Sequence, residues 1–93
     1  MRVTAELAHA KAEAFLDEAV RPGVALDVVV DVESTIETER CWVFFYNTRE
    51  FLETRSAKFA LAGNAPIFVV KDDPGVYFGR TDVSIEDQLA DVS

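Results

Sequence analysis

The sequence predicts a small α+β domain with an N-terminal helix, a four-stranded antiparallel sheet and a short C-terminal helix. Three observations predict it: apolar residues at helical spacing near the N-terminus, apolar runs of strand length in the middle, and a serine-capped acidic segment near the C-terminus. The 93 residues suffice for one hydrophobic core, so residues 1–93 are expected to form a single domain. The order of the elements, with at least one short hairpin, favours helices on one face of the sheet.

The first helix is predicted to follow Thr4 and to end near Val20. Thr4 is a typical N-cap, and Pro22-Gly23 stops the helix because proline cannot continue the hydrogen-bond ladder. The predicted buried side consists of Leu7, Ala8, Ala12, Phe15, Leu16 and Ala19.

From Val24 to Glu33 apolar residues alternate with others, which is typical of a strand with one buried face. The acids on its solvent side are Asp27, Asp31 and Glu33. Ser34 to Arg40 is a plausible connection to a second strand, residues 41–47. Both faces of that second strand are apolar or aromatic, so we expect it to be central in the sheet.

The C-terminal half begins with a long connection, Thr48 to Ala65, which suggests either a helical turn or a functional loop. A third strand is predicted from Ile67 to Lys71 and a fourth from Val76 to Arg80. Asp72-Asp73-Pro74-Gly75 between them is a strong hairpin signal. Ser84 with an acid three residues later predicts the start of the last helix.

Charge and composition narrow the possible partners. Nine basic and seventeen acidic side chains give a net charge of −8, which disfavours nucleic acid and anionic membranes. The acidic surface either only keeps the protein in solution or complements a basic protein surface. No apolar run is long enough to span a bilayer, Cys41 has no cysteine partner and no signal-peptide run is present, so we expect a cytoplasmic protein.

Catalytic and metal sites are not predicted. Cys41 and His9 are the sole thiol and imidazole, and a surface histidine with a packed thiol is the plainer interpretation than a dyad. Two such ligands are too few for structural zinc. Asp72 and Asp73 suit a turn, and the GNAP segment at 63–66 lacks the pattern of a phosphate-binding loop. We expect no cofactor and no enzymatic activity.

Charged residues in the long connection allow one further interpretation. Glu50 and Glu53 lie near Arg49 and Arg55, so they could form solvated ion pairs, or act as an acid and a base if burial separated their pKa values. The ion pairs are the simpler prediction.

The second strand carries two aromatic faces. Trp42, Phe44 and Tyr46 share one face, whereas Cys41, Val43 and Phe45 share the other. Both faces can be core. If helices cover one side of the sheet only, one of these faces is left partly open and marks a binding surface.

Several motifs between residues 41 and 90 resemble one family. They are WVFFY at 42–46, REFLET at 49–54, LAGNAP at 61–66 before an apolar strand and an Asp/Gly turn, and GRT at 79–81 before an acidic helix. They resemble the YrhB-like family, also described as the immunity protein 35 family. The resemblance implies a small α+β domain of bacterial toxin-immunity loci that binds and neutralises a cognate toxin. A related member is regarded as a heat-induced chaperone, and the family supplies no catalytic residues.

Three functional hypotheses follow. The first is an immunity protein that occupies a toxin surface, with the partner contacts Asp27, Asp31, Glu33, Trp42, Glu50 and Glu53. The second is an ATP-independent holdase chaperone that shields unfolded chains through exposed apolar surface. An enzyme using loop carboxylates is the third and weakest. The identity of the toxin and the oligomeric state are left open by the sequence.

Overall fold

A computed structural model describes residues 4–61, 65–71, 75–79 and 84–92. Its helices are α1 Ala5–Ala19, α2 Arg49–Thr54 and α3 Ile85–Val92. Its strands are β1 Val28–Val30, β2 Ile36–Glu37, β3 Cys41–Phe44, β4 Tyr46–Thr48, β5 Ile67–Val70 and β6 Val76–Phe78. Short 3₁₀ turns occupy Arg21–Gly23, Val32–Ser34 and Ala57–Phe59. The α+β class and the antiparallel pairing are as the sequence predicts.

Helix α1 begins and ends where the sequence predicts. The Thr4 hydroxyl accepts a hydrogen bond from the Leu7 amide at 3.3 Å, and the last helical bond runs from the Val20 amide to the Leu16 carbonyl. Its buried stripe is narrower than expected and consists of Ala8, Ala12 and Leu16. Leu7 and Ala19, at the margins of the predicted stripe, are exposed.

The strands form two sheets, so the prediction of one four-stranded sheet was partly wrong. The predicted strand 41–47 is divided at Phe45: β3 lies inside the larger sheet, ordered β2-β3-β5-β6, whereas β4 pairs with β1 alone. The expected central position therefore holds for β3. The predicted strand Val24–Glu33 is regular only at Val28–Val30. A 3₁₀ turn follows Asp31 and ends it on the C-terminal side.

The fourth strand of the larger sheet is β2, inside the segment predicted as a connection. Ile36 pairs with Val43 and Glu37 with Trp42. The hairpin is closed by Thr38, whose amide donates to the Cys41 carbonyl at 2.8 Å and whose hydroxyl accepts from the Cys41 amide at 3.0 Å. A strand of two residues carries too little periodicity to be recognised in a sequence.

Helix α1 covers one face of the larger sheet, and the Gln88 side chain of α3 approaches the other face. Helix α1 packs on the face that carries Ile67 and Val69. Phe68 points to the opposite face, where a Cβ on Gly79 would lie 2.6 Å from the Phe68 ring and 2.8 Å from the Gln88 side chain of α3. The side chains of β5 point alternately to the two faces of the sheet, and they are apolar on both faces. Other residues must therefore shield each face from water.

The β5–β6 hairpin is present as predicted. Val69 pairs with Val76, and the Val70 amide donates to the Gly75 carbonyl at 3.1 Å. Residues 72–74 of the predicted turn lie outside the described residues. Helix α3 also begins as predicted, because the Ser84 hydroxyl accepts from the Asp87 amide at 3.2 Å.

The long connection contains the helical turn that the sequence allowed. Thr48 is fully buried and caps α2, since its hydroxyl accepts from the Phe51 amide at 3.0 Å. The same hydroxyl donates to the Phe59 carbonyl at 2.7 Å, and the Asn47 side chain accepts from the Leu61 amide at 3.0 Å. Two polar side chains at the end of β4 thus fasten the connection to the smaller sheet.

Candidate partner-binding surface

A groove lies between α1 and β1, and we name it the α1–β1 groove. Its helical wall is formed by Glu6, His9, Ala10 and Glu13, and its strand wall by Val29, Val30 and Val32. The volume is about 510 Å³. An adjoining hollow of about 310 Å³ shares Glu6, His9 and Val32 with the groove and extends it to Trp42 and Phe44. One continuous depression therefore runs from the middle of α1 to the sole tryptophan.

Arg21 joins the two walls of the groove. Its Nη1 donates to the Glu13 carbonyl at 3.2 Å, and its Nη2 donates to the Val28 carbonyl at 2.8 Å. Its guanidinium also binds the carboxylates of Glu13 at 3.1 Å and Asp17 at 2.8 Å. Burial lowers the pKa of Arg21, but the hydrogen bonds and charges of Asp17 and Glu13 outweigh it and leave that pKa raised. The bridge is therefore permanently charged.

His9 and Cys41 are on opposite faces of the larger sheet. The His9 ring stacks on Phe44 at a centroid distance of 6.0 Å, and its Nε2 lies 3.6 Å from a Glu13 carboxylate oxygen. Cys41 is buried on the other face, with its Sγ 3.3 Å from the Thr38 hydroxyl. A Cys/His dyad is not formed. In the part of the chain that the structure describes, no group of three or more His, Cys, Asp or Glu side chains could hold a metal ion.

Trp42, the aromatic candidate, lines the extension of the α1–β1 groove and is half-buried. Lys71 lies over its ring, 4.9 Å from the centroid, and binds Glu37 at 2.6 Å. The indole Nε1 is buried and has no hydrogen-bond partner among the described residues. The face that Trp42 shares with Phe44 and Tyr46 is thus core at one end and groove wall at the other.

Asp27, Glu50 and Glu53 lie around Arg49. Arg49 donates from Nε to Asp27 at 2.8 Å, and this bond and the Asp27 charge raise the pKa of Arg49, with smaller contributions from Glu53 and Glu50. The predicted pairing of Arg49 with Glu50 and Glu53 is therefore replaced by an ion pair between Arg49 and Asp27, which are 22 residues apart in sequence. Arg55 lies instead over the Phe51 ring at 5.6 Å. One Glu50 carboxylate oxygen is buried without a hydrogen-bond partner in the described chain.

Asp31 and Glu33 flank the 3₁₀ turn Val32–Ser34. The Asp31 carboxylate accepts from the Ser34 hydroxyl at 2.8 Å, and Glu33 is exposed. Val32 between them is 63% exposed and lines the α1–β1 groove. On the other side of the turn, Asp31 lines a second hollow of about 410 Å³. The remaining wall of this second hollow includes Phe45, Phe51, Leu52 and Arg55.

The six predicted contact residues therefore lie in three places: the end of the groove, the turn beside it, and the surroundings of Arg49. Sequence reasoning missed Glu6, His9 and Val32, which the fold brings together. Strand alternation assigned Val32 to the buried face. The 3₁₀ turn after Asp31 reverses that assignment, and no residue pattern reveals that α1 lies alongside β1.

Comparison with known proteins gives the chain a family. The sequence model of the family described as "Immunity protein 35" matches residues 6–85. The chain belongs to the immunity protein 35 family. This confirms the resemblance carried by the motifs after residue 41, and the match extends across α1 and β1.

A relative of this chain is found in Escherichia coli K12. This protein, named "Uncharacterized protein YrhB", is 35% identical over 89 residues, which cover 96% of this chain and 87% of the relative. No solved structure matches the chain. No helix that the structure describes combines the length and the apolar character needed to cross a membrane.

Proposed function

We propose that this member of the immunity protein 35 family binds a cognate bacterial toxin and neutralises it by stoichiometric contact. The observation that carries the proposal is the family match over residues 6–85, which spans every strand of both sheets. Neutralisation then needs only a rigid surface that occupies the toxin's active or substrate-binding site.

Electrostatics favour a basic toxin. The net charge is −8, and the acids around the groove and the 32–34 turn include Glu6, Asp31 and Glu33. Complementary charge speeds the encounter and selects the correct orientation, and its effect falls with ionic strength. We therefore expect the association rate with the toxin to fall steeply as salt is added, and the dissociation rate to change less.

The first experiment is a titration of the purified toxin encoded in the same locus. Toxin activity should fall linearly to its minimum at about one chain per toxin, as expected for tight complexes. Glu33→Lys should slow association severalfold, because it reverses a charge beside the groove. Glu86→Lys, on the exposed side of α3, is the matched control and should change the rate much less. Equal activity of the toxin with and without the chain would refute the proposal.

The holdase alternative has one feature to recommend it. Large apolar side chains are exposed, namely Leu7, Leu26, Val32, Tyr77 and Phe78. Only Tyr77 and Phe78 share an element, β6, and they point to opposite faces of the sheet. Single exposed apolar residues are normal on soluble proteins. Suppression of aggregation of several unrelated heat-denatured proteins, without tight binding of the toxin, would favour the chaperone.

A further inference from the structure

Building on the proposed function, we infer that the α1–β1 groove receives an extended, cationic segment of the toxin, which adds to the free edge of β1. The inference names the docking surface and the chemistry of the segment that fits it. It rests on three properties of the groove: the orientation of the β1 backbone, the charge of the helical wall and the apolar strand wall.

The β1 backbone presents amides and carbonyls to the groove, and Arg21 already binds one of them, the Val28 carbonyl. The Arg49 amide donates to the Asp27 carbonyl and the Asp31 amide donates to the Phe45 carbonyl, each at 2.8 Å. Hydrogen-bonded pairs alternate along an antiparallel ladder, so the amides and carbonyls of Val28 and Val30 point away from β4. Among the described strands, only β4 pairs with β1. Edges of this kind accept an extended segment as a further strand.

Arg21 sets the end of the available edge. It takes the outward carbonyl of Val28 through Nε and Nη2 and binds α1 with the same guanidinium. The backbone of Val30 remains, and the open groove extends from it towards Val32 and Trp42. An added segment would therefore pair with the Val30 end of β1 and continue along the groove towards Trp42, and it would not cover the whole of β1.

The charge of the lining selects a cationic segment. Glu6 and Glu13 place two carboxylates on the helical wall, and Arg21 already binds that of Glu13 at 3.1 Å, so the attraction for a cation is greatest at the Glu6 end of the groove. The opposite wall is valine, and Phe44 and Trp42 form the far end. Because successive side chains of a strand added to β1 point to opposite faces of the sheet, alternating basic and apolar residues would place the basic ones towards the carboxylates of α1 and the apolar ones beside Val29 on the other face.

Two other assignments fit less well. The lining of the second hollow includes both Arg55 and Asp31, so it has no net preference for a cation. A second copy of this chain is a poor occupant, because two molecules of net charge −8 repel one another.

The groove can be tested without the toxin. We suggest titrating the ¹⁵N-labelled chain with the blocked peptide Val-Lys-Val-Arg-Val and, separately, with Val-Glu-Val-Asp-Val. The first peptide should shift the amide signals of Val30 and Val32 and the indole signal of Trp42, and the shifts should weaken as salt is added. The acidic peptide should leave these signals unchanged. Equal binding of both peptides, or shifts confined to other surfaces, would overturn the inference.

Two matched pairs of variants test whether the groove binds the toxin itself. Ala10→Met fills the groove without adding charge, and Ala14→Met is its control on an exposed helical position outside the groove. Glu6→Lys reverses a carboxylate of the wall, and Glu18→Lys does the same elsewhere on α1. Each groove variant should weaken toxin binding by about tenfold or more, and each control by less than about twofold.

The outcomes separate this inference from the proposed function. If all four variants neutralise the toxin equally, the groove inference is wrong and the proposed immunity function stands. If the chain does not bind the toxin but binds the cationic peptide at Val30, the groove inference stands and the proposed function is refuted. A groove filled by a second copy, seen as concentration-dependent dimerisation lost in Ala10→Met, would overturn the inference.

Discussion

Arg21 binds α1 and β1 at the same time. Its guanidinium satisfies two backbone carbonyls, those of Glu13 and Val28, and two carboxylates. Its side chain is 26% exposed, so these bonds are only partly screened by water. Hydrogen bonds that involve a charged group contribute more to stability than neutral ones, and removal of the donor leaves its acceptors unpaired.

The first prediction concerns this bridge. Arg21→Ala should lower the free energy of unfolding by about 2–3 kcal/mol, because the Val28 carbonyl and two carboxylates lose their donor. Arg21→Lys keeps the charge but cannot reproduce the planar fork, so it should recover less than half of the loss. Urea unfolding of the three proteins measures both values. A loss below about 0.5 kcal/mol for the alanine variant would show that water replaces the bridge.

The second prediction concerns Arg55, which ends α2 in the left-handed region with φ 59° and ψ 20°. A side chain costs about 1 kcal/mol in this conformation, and glycine does not pay it. Arg55→Ala loses the contact with Phe51 and keeps the strain, so Arg55→Gly should be the more stable of the two by about 1 kcal/mol. Thermal unfolding of both variants tests the difference, and alanine equal to glycine would contradict it.

The third prediction concerns pH. Burial raises the pKa of Tyr46, so the unfolded chain ionises this phenol at a lower pH than the folded chain does. Stability that is fully present below about pH 10 should therefore be lost as the pH rises through the folded value. Tyr46→Phe should show a shallower decline above pH 10 in urea unfolding than the parent chain. Parallel declines would exclude Tyr46 as the cause.

At the scale of elements, the sequence predicts what local patterns encode. The cap at Thr4, the stop before Pro22, the β5–β6 hairpin and the Ser84 cap depend on neighbouring residues, and the structure contains all four. The division of residues 41–47 at Phe45 depends on which strand each half meets. Alternation is the same in both halves, so no pattern in the sequence could reveal the division.

The fourth prediction tests how α3 and β6 meet. A Cβ on Gly79 would lie 2.6 Å from Phe68, 2.8 Å from Gln88 and 3.0 Å from Pro66, so Gly79→Ala should destabilise the fold by about 1–3 kcal/mol. Gly23 is the matched control, because nothing lies within 4 Å of its added Cβ. Gly23→Ala should be neutral or stabilising by a few tenths of a kcal/mol, roughly. Urea unfolding of the two variants gives the comparison, and equal effects would refute the close approach at Gly79.

At the scale of the whole molecule, one core joins the two sheets. Helix α1 contributes Leu16, the smaller sheet Val28 and Tyr46, and the larger sheet Ile67 and Val69 to a single buried cluster. The candidate surface is a consequence of this arrangement, since α1 packs on both sheets and so lies beside β1. Sequence reasoning found the aromatic and acidic candidates one by one. It could not assemble the groove, because its walls are separated in the chain and meet only through the shared core.

The last prediction tests whether the two sheets share one core. Leu16 is fully buried where α1 meets both sheets, so Leu16→Ala should cost about 3 kcal/mol through lost burial and the cavity it leaves. If the two sheets share one core, the variant should still unfold in one step. Far-ultraviolet circular dichroism reports the helices, Trp42 fluorescence the larger sheet, and exchange of the Val29 amide the smaller sheet. The three signals should change together in the parent chain and in Leu16→Ala. If the Val29 amide exchanges before the Trp42 transition, the β1 edge, and with it the groove, opens independently of the larger sheet.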